Sequence, residues 1–227
     1  MPQIVGHRGA AGYAPENTLL SFEKAIELGC PAVELDVHLS KDGEVIVIHD
    51  AKVDRVTDGR GKVRKMTLEQ LRALRCPLDQ RLPTLREVLE TIDGRARIFI
   101  ELKVRGTVGP VVDLVREHGL TSRVVITSFK IGLLKLARQL DPSLRLNYLF
   151  YRKPLRLWSL VRRLRLNYIG PRLSVAKAKL VARAHKLRCK VYVYGVKDTA
   201  DGVRMKKWGV DAICTDYPIL FLRRPRA

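Results

Sequence analysis

The sequence predicts an α/β fold closed into a TIM-type (β/α)8 barrel, and three observations carry that expectation. Eight short apolar runs alternate with longer segments of helical period, mostly strand then helix. No Gly-rich nucleotide fingerprint marks an open doubly wound sheet, so the count of eight favours closure. Polar, chemistry-bearing residues recur where the runs end, which is where barrels of this kind carry their sites.

The first run, Gln3–Val5, leads into His7-Arg8-Gly9. Asn17–Leu28 follows with apolar residues at Leu19, Leu20, Phe22, Ala25, Ile26 and Leu28, one helical face and its flank. Ala32–Val37 is the second run. After it, Lys41-Asp42-Gly43 separates two alternating stretches, the signal of a β-hairpin. The turn is too short for a parallel crossover. The stretch Glu44–Asp50 must therefore fold back antiparallel, which brings His49 near Glu34 and Asp36. Residues from about 51 to 81 lack strand signals and hold one short helical pattern, Thr67–Leu74. They read as an insertion over the barrel mouth, before Leu85–Ile92 resumes the regular helix. The remaining runs are Arg97–Leu102, Val124–Thr127, Leu144–Leu149, Leu166–Ile169, Val191–Tyr194 and Ala212–Cys214. Val108–Glu117, Ile131–Gln139, Val175–Ala184 and Thr199–Lys207 supply helices between them. The expected organisation is a single domain over residues 1–227.

Composition narrows the class. A chain of 227 residues, 46% hydrophobic and 29% charged, is globular and long enough to bury a core without disulfide staples. Cys30, Cys76, Cys189 and Cys214 stand far apart with no C-x-x-C pair, so reduced, buried thiols are expected rather than a zinc site. The N-terminus lacks the basic and long apolar regions of a signal peptide, and no apolar stretch reaches a membrane span, so a cytoplasmic protein is expected. The net charge of +20 suits an anionic substrate, an anionic membrane surface or nucleic acid, or simply a solubilising basic surface.

Side-chain alternation on a strand places Glu34 and Asp36 on one face, and Glu101 and Lys103 on one face. Leu35 and Leu102 then point to the helices, and the three carboxylates converge inside the mouth. Like charges at close quarters repel, and a divalent cation relieves that cost; oxygen donors imply one Mg²⁺ or Ca²⁺. The competing reading is that the acids merely pair with Lys103 or Arg8. His7 and His49, beside this cluster, are the acid–base candidates. Arg8 and Lys103 face the same cavity and suit phosphate oxygens. His38, His118 and His185 lack such company and are expected at the surface.

The same residues carry a family resemblance. His7-Arg8-Gly9, Pro15-Glu16-Asn17-Thr18, Glu34-Leu35-Asp36-Val37, Lys41-Asp42-Gly43, His49-Asp50, Leu82-Pro83-Thr84-Leu85, Glu101-Leu102-Lys103, Ser128-Phe129 and Thr215-Asp216-Tyr217-Pro218 resemble, in order, the motifs of glycerophosphodiester phosphodiesterases. Arg55, Thr57, Gly59 and Gly61 resemble the start of that family's insertion. The resemblance implies a TIM barrel, a metal on Glu34, Asp36 and Glu101, and catalysis by His7 and His49. It also implies hydrolysis of a small anionic glycerophosphodiester to glycerol 3-phosphate and an alcohol. Glu16 and Asn17 match the signature, with capping of the first helix as the alternative reading. Phe129 and Tyr194 are candidate substrate contacts, Tyr194 by stacking on the glycerol end. Tyr194-Gly195-Val196-Lys197 departs from the family pattern, where an Asn is usual; Lys197 puts a long cation there and bears on the head group.

The segment Tyr151–Arg165 spaces Leu157, Leu160, Val161 and Leu164 as a helix, with Trp158 beside them and Arg156, Arg162, Arg163 and Arg165 as charge. It is read either as the fifth barrel helix or as a peripheral contact for an anionic membrane. Arg223, Arg224 and Arg226 add to the positive field. Three functional classes follow: a soluble glycerophosphodiesterase, a membrane-surface enzyme acting on lysophospholipids, and a non-catalytic lipid- or nucleic-acid-binding barrel. The full set of carboxylates and histidines weighs against the third, so a nucleic-acid partner is not expected.

Overall fold

The computed structural model describes residues 1–222; the arginines of the tail from position 223 onward lie outside the described residues. Nine strands form one sheet: β1 (Gln3–Gly6), β2 (Ala32–Leu39), β3 (Val45–Val47), β4 (Arg97–Leu102), β5 (Val124–Ser128), β6 (Arg145–Phe150), β7 (Tyr168–Pro171), β8 (Lys190–Tyr194) and β9 (Ala212–Thr215). Parallel pairing runs β2–β4–β5–β6–β7–β8–β9–β1, and β1 pairs back onto β2, which closes an eight-stranded barrel. β3 is the exception: it lies antiparallel on the end of β2, with Val37 opposite Val47. The Asp42-Gly43 turn forms the hairpin as expected, Gly43 sitting at φ 93 where a side chain would be strained.

The helices are α1 (Leu19–Glu27), α2 (Leu68–Ala73), α3 (Leu85–Ile92), α4 (Val108–Glu117), α5 (Ile131–Leu140), α6 (Leu157–Arg163), α7 (Ala178–Lys186) and α8 (Thr199–Lys207). α1 and α4 to α8 each follow a barrel strand, and α3 follows the insertion that holds α2. A short 3₁₀ turn, Pro218–Leu220, follows β9 instead of a helix. Four helix starts are capped by side chains: Thr18, Thr67, Thr84 and Asp198 accept from the N–H groups of Ser21, Gln70, Glu87 and Asp201. Thr67 and Thr84 head full capping boxes. The seventh helix begins later than its periodicity predicts, at Ala178, because a 3₁₀ turn at Leu173–Val175 takes up the first residues. α6 is shorter than the predicted segment; Pro154 precedes it, and only Leu157–Arg163 are helical.

Burial follows the pleat. Leu35, Ile98, Ile100, Leu102, Ile126 and Leu146 point outward to a shared layer with the helices. Val5, Ala32, Phe99, Val125, Tyr168, Tyr192 and Cys214 point inward and fill the barrel axis. Phe99 meets Tyr192 at 4.9 Å and Tyr168 edge-on at 5.5 Å between ring centroids, an aromatic floor beneath the mouth. The insertion has a small core of its own, in which Val53, Val63, Leu71, Cys76 and Leu82 close over Ile46 and Ile48 of the hairpin. Cys30, Cys76, Cys189 and Cys214 are free and buried, as expected.

Candidate active site

The carboxylates converge as the alternation predicts. Asp36 and Glu101 are register partners on β2 and β4, one step above Glu34 and Phe99. All three acids are buried, and one oxygen from each of Glu34, Asp36 and Glu101 lies within 4.8 Å of the others. Two cations share the space. Lys103 Nζ is 2.8 Å from Asp36 Oδ1 and 2.6 Å from Glu101 Oε1. Arg8 Nε is 3.3 Å from Asp36 Oδ2, close enough for an ion pair but without hydrogen-bond alignment, while its backbone N–H donates to Glu34 Oε2 at 3.1 Å. Two positive charges do not balance three negative ones. Burial, and next the Asp36 charge, push the carboxyls of Glu34 and Glu101 up. Asp36 is held down despite its burial, because Lys103 and Arg8 outweigh the desolvation.

That imbalance fits a divalent cation. The donors are hard oxygens, buried and clustered, with negative charge left uncompensated by the protein. A second grouping, His7, Glu34 and Cys214, meets the same distance limit. Burial pushes the Cys214 thiol well above its ordinary value, so it stays protonated and is the poorer donor.

Two imidazoles flank the acids. His7 follows β1 and lies 3.8 Å from Glu34 through Nε2; its Nδ1 bonds Asp216 Oδ1 at 2.6 Å. Burial pulls His7 down, but the Asp216 hydrogen bond and the Glu34 charge together hold it above its ordinary value. His49 follows β3, and its Nδ1 bonds Asp50 Oδ1 at 2.6 Å. The hairpin fixes its height: the Ile48 N–H donates to the Asp36 carbonyl at 2.9 Å. Burial lowers His49 below its ordinary value, and the attraction of Asp36 does not restore it. A carboxylate on Nδ1 sets the tautomer of each ring and turns Nε2 to the cavity.

Beyond the histidines the charges form a continuous chain. Asp50 Oδ2 accepts from Arg55 Nε at 2.7 Å, and the two Arg55 amino groups reach both oxygens of Glu16 at 2.8 and 2.7 Å. Glu16 Oε1 also accepts from Arg8 at 2.8 Å. Neither Glu16 nor Asn17 caps the first helix; Thr18 does. Asn17, held at φ 57, donates to Asp36 Oδ2 at 3.1 Å and so belongs to the carboxylate cluster. Arg8 is likewise held at φ 50, a sparsely populated backbone state beside the cluster.

The aromatic candidates form one wall. Phe129 stacks on Tyr151 at 4.5 Å and meets Tyr194 edge-on at 5.7 Å. Phe129, Tyr151, His38, His49, Glu101 and Lys103 border one open cavity of about 540 Å³. Lys197 is exposed, and its charge adds to the hydrogen bond of His7 and the charges of His7 and Arg8 that hold the Asp216 carboxyl low against burial.

One expectation fails in part. His38 is buried rather than at the surface, because the hairpin folds over it, and its Nε2–H donates to the His49 carbonyl at 3.2 Å. His118 is half-buried against the Leu114 carbonyl, and His185 is exposed and paired with Asp211. Asp50, Asp216, Arg55 and Tyr151 were not among the candidates. Asp50 had a local signal, its place beside His49, whereas Asp216 and Arg55 were visible only as members of motifs and no local signal marks Tyr151.

Residues 7–220 match the glycerophosphoryl diester phosphodiesterase family. The chain belongs to that family. It is 34% identical over 228 residues to the glycerophosphodiester phosphodiesterase of Caldanaerobacter subterraneus subsp. tengcongensis, covering 95% of this chain and 94% of the relative. A glycerophosphodiester phosphodiesterase of Bacillus subtilis is 30% identical, over 96% of this chain and 84% of its own length. Among solved structures, an Oleispira antarctica phosphodiesterase in complex with the product sn-glycerol-3-phosphate superposes with a TM-score of 0.91 at 28% identity, covering 96% and 94% of the two chains. The Agrobacterium tumefaciens glycerophosphodiester phosphodiesterase gives a TM-score of 0.86 at 29% identity, over 97% and 99%. The eight-stranded TIM barrel is that of the family, and this phosphodiesterase is an enzyme, a phosphoric diester hydrolase. Among its described residues, no helix is long and apolar enough to cross a membrane.

Proposed function

We propose that this enzyme hydrolyses a glycerophosphodiester to glycerol 3-phosphate and an alcohol at the barrel mouth. One Mg²⁺ or Ca²⁺ would be held by Glu34, Asp36 and Glu101, with His7 and His49 as the acid–base pair. The observation that carries this reading is the buried triad of carboxylates, oxygens within 4.8 Å, between two imidazoles that each bond their own aspartate. When bound, the cation supplies Lewis-acid polarisation of the phosphoryl group. Arg8 and Lys103 offset charge on the same oxygens. The substrate's own 2-hydroxyl attacks phosphorus while one imidazole accepts its proton. The other imidazole donates a proton to the departing alkoxide. Water then opens the resulting cyclic phosphate with the two roles reversed, which restores both rings. Phe129, Tyr151 and Tyr194 offer an apolar wall to the glycerol end, and Lys197 a cation to the head group.

The test is a metal-supplemented assay on glycerophosphocholine, glycerophosphoethanolamine and glycerophosphoglycerol. His7→Ala and His49→Ala each lower kcat by roughly 10²–10⁴, the range for acid–base groups. Chelation with EDTA abolishes turnover, and added divalent cation restores it. Activity surviving complete chelation, or an unchanged kcat in His49→Ala, would count against the assignment.

A membrane-surface version of the chemistry has one observation in its favour. Tyr151 and Leu155 are exposed on the loop after β6, among Arg152, Lys153 and Arg156. The stripe of the following helix is not free for lipid: Leu157 and Val161 are buried in the barrel layer and Trp158 packs against it. Action on lysophospholipids therefore rests on that loop alone, and co-sedimentation with anionic liposomes decides it. The four free thiols accord with a cytoplasmic setting.

A further inference from the structure

The opposite end of the barrel holds a second cluster of charge. Arg97, Arg145 and Lys190 open β4, β6 and β8. Each is in register with an inward-facing residue: Arg97 with Ala32, Arg145 with Val125 and Lys190 with Tyr168. By strand alternation, all three belong to the inner layer below the aromatic floor. A barrel interior is ordinarily filled by apolar side chains; here its lowest layer brings together three cations. With Arg188, Asn167 and Tyr168 they line one cavity of about 290 Å³.

Nothing among the described residues neutralises this cavity. No acid lines it, and none of Arg97, Arg145, Arg188 or Lys190 forms an ion pair with a described carboxylate. Asp211, next to β9, is engaged elsewhere: its Oδ2 accepts from His185 at 2.7 Å and from the Val191 N–H at 2.8 Å. The Arg97 Nε is buried without a hydrogen-bond partner among the described residues, a cost that the protein leaves standing. Lys190 has a weaker compensation, lying 5.9 Å over the Tyr168 ring. Four like charges around one recess repel each other, and a polyvalent anion reverses the sign of that energy. Three guanidinium forks and an ammonium suit tetrahedral phosphoryl oxygens, by forked hydrogen bonds and as a point charge.

We infer that the N-terminal pole of the barrel is a phosphoryl-anion binding site, separate from the mouth and taking either free phosphate or a lipid phosphate head group. Calorimetric titration of inorganic phosphate into the metal-loaded enzyme tests it, with the wild type set beside the Arg97→Gln/Arg145→Gln double variant. The double variant loses one phosphate site, or weakens it at least about tenfold, while kcat on glycerophosphodiester stays within about twofold of wild type. Phosphate raises the melting temperature of the wild type more than that of the double variant, which keeps only the mouth. Lys190→Gln, at an exposed position, gives the same direction of change should the double variant fold poorly. Vesicles of phosphatidylcholine with phosphatidic acid separate the two sources. Wild-type sedimentation that the double variant loses assigns the site to a lipid head group, and equal behaviour assigns it to the free anion. Identical phosphate stoichiometry and affinity in the wild type and both variants would overturn the inference.

Discussion

Arg55 has the most consequential side chain outside the cluster itself. It belongs to the insertion, yet it bonds the aspartate that holds His49 and the glutamate that holds Arg8. Arg55 is thus a positioning residue, working through Asp50 and Glu16. Its hydrogen bond first, against the opposing effect of burial, holds the Asp50 carboxyl at about 2. The sign follows from that depression. The pairing contributes fully above the unfolded carboxylate value of about 3.9 and is lost as pH falls through about 2, so Asp50 remains ionised under His49 at any working pH. In Arg55→Ala the Asp50 carboxyl should titrate closer to about 4, visible by NMR. kcat should fall by roughly ten- to a hundredfold with a smaller change in KM, as expected when an oriented group is loosened. Arg55→Lys should not rescue it, since one ammonium cannot span two carboxylates in a fixed fork. An unaltered kcat in Arg55→Ala would remove it from the site. These contacts explain what was legible at this scale. The pairing of Glu34 with Asp36 is written in a two-residue spacing, whereas the His7–Asp216 bond joins residues 209 apart, across the barrel seam. Periodicity has no access to such a contact.

At the scale of elements, the hairpin and the insertion do the positioning. The hairpin was legible because Asp42-Gly43 and the alternation on either side are local signals. What the hairpin covers was not: His38 lies on an alternating strand like any other, and only the folded-back β3 buries it. The insertion was visible as a gap in the strand rhythm, but its small core was not, because Val53, Val63, Leu71 and Cys76 follow no single period. That core carries a prediction. Leu71 is fully buried in it, remote from the barrel layer. Leu71→Ala should cost about 2–5 kcal/mol locally. The loss should appear in hydrogen exchange as faster opening of residues 51–81, with the barrel strands protected as before. Because Arg55 rides on this element, kcat should drop as well. Full protection of the insertion in Leu71→Ala would show that the small core does not hold it.

At the scale of the whole molecule, the net charge of +20 is distributed with the barrel axis as a guide. The carboxylate cluster lies buried at the mouth, but the rim above it is cationic. Lys130, Arg152, Arg172 and Lys197 follow β5, β6, β7 and β8 and are exposed. An anionic diester approaching this end meets positive potential before it meets the acids, which are partly offset by Lys103 and Arg8. Such a field acts on encounter rather than on the chemical step. The consequence is a dependence on salt with a definite split. Raising ionic strength from about 0.01 to 0.15 M shortens the screening length from about 30 to 8 Å. Over that range kcat/KM for a glycerophosphodiester should fall by about three- to tenfold, while kcat at saturation stays nearly constant. Neutralising the rim by Arg152→Gln and Lys197→Gln should flatten the salt dependence and lower kcat/KM at low salt toward its screened value. The double variant leaves the His7 and His49 pairings in place, so a large loss of kcat would place Lys197 at the reacting group instead of on the approach. If kcat/KM proved independent of salt in the wild type, the basic surface would have no part in gathering substrate, and its charge would have to be explained by the far pole or by solubility alone.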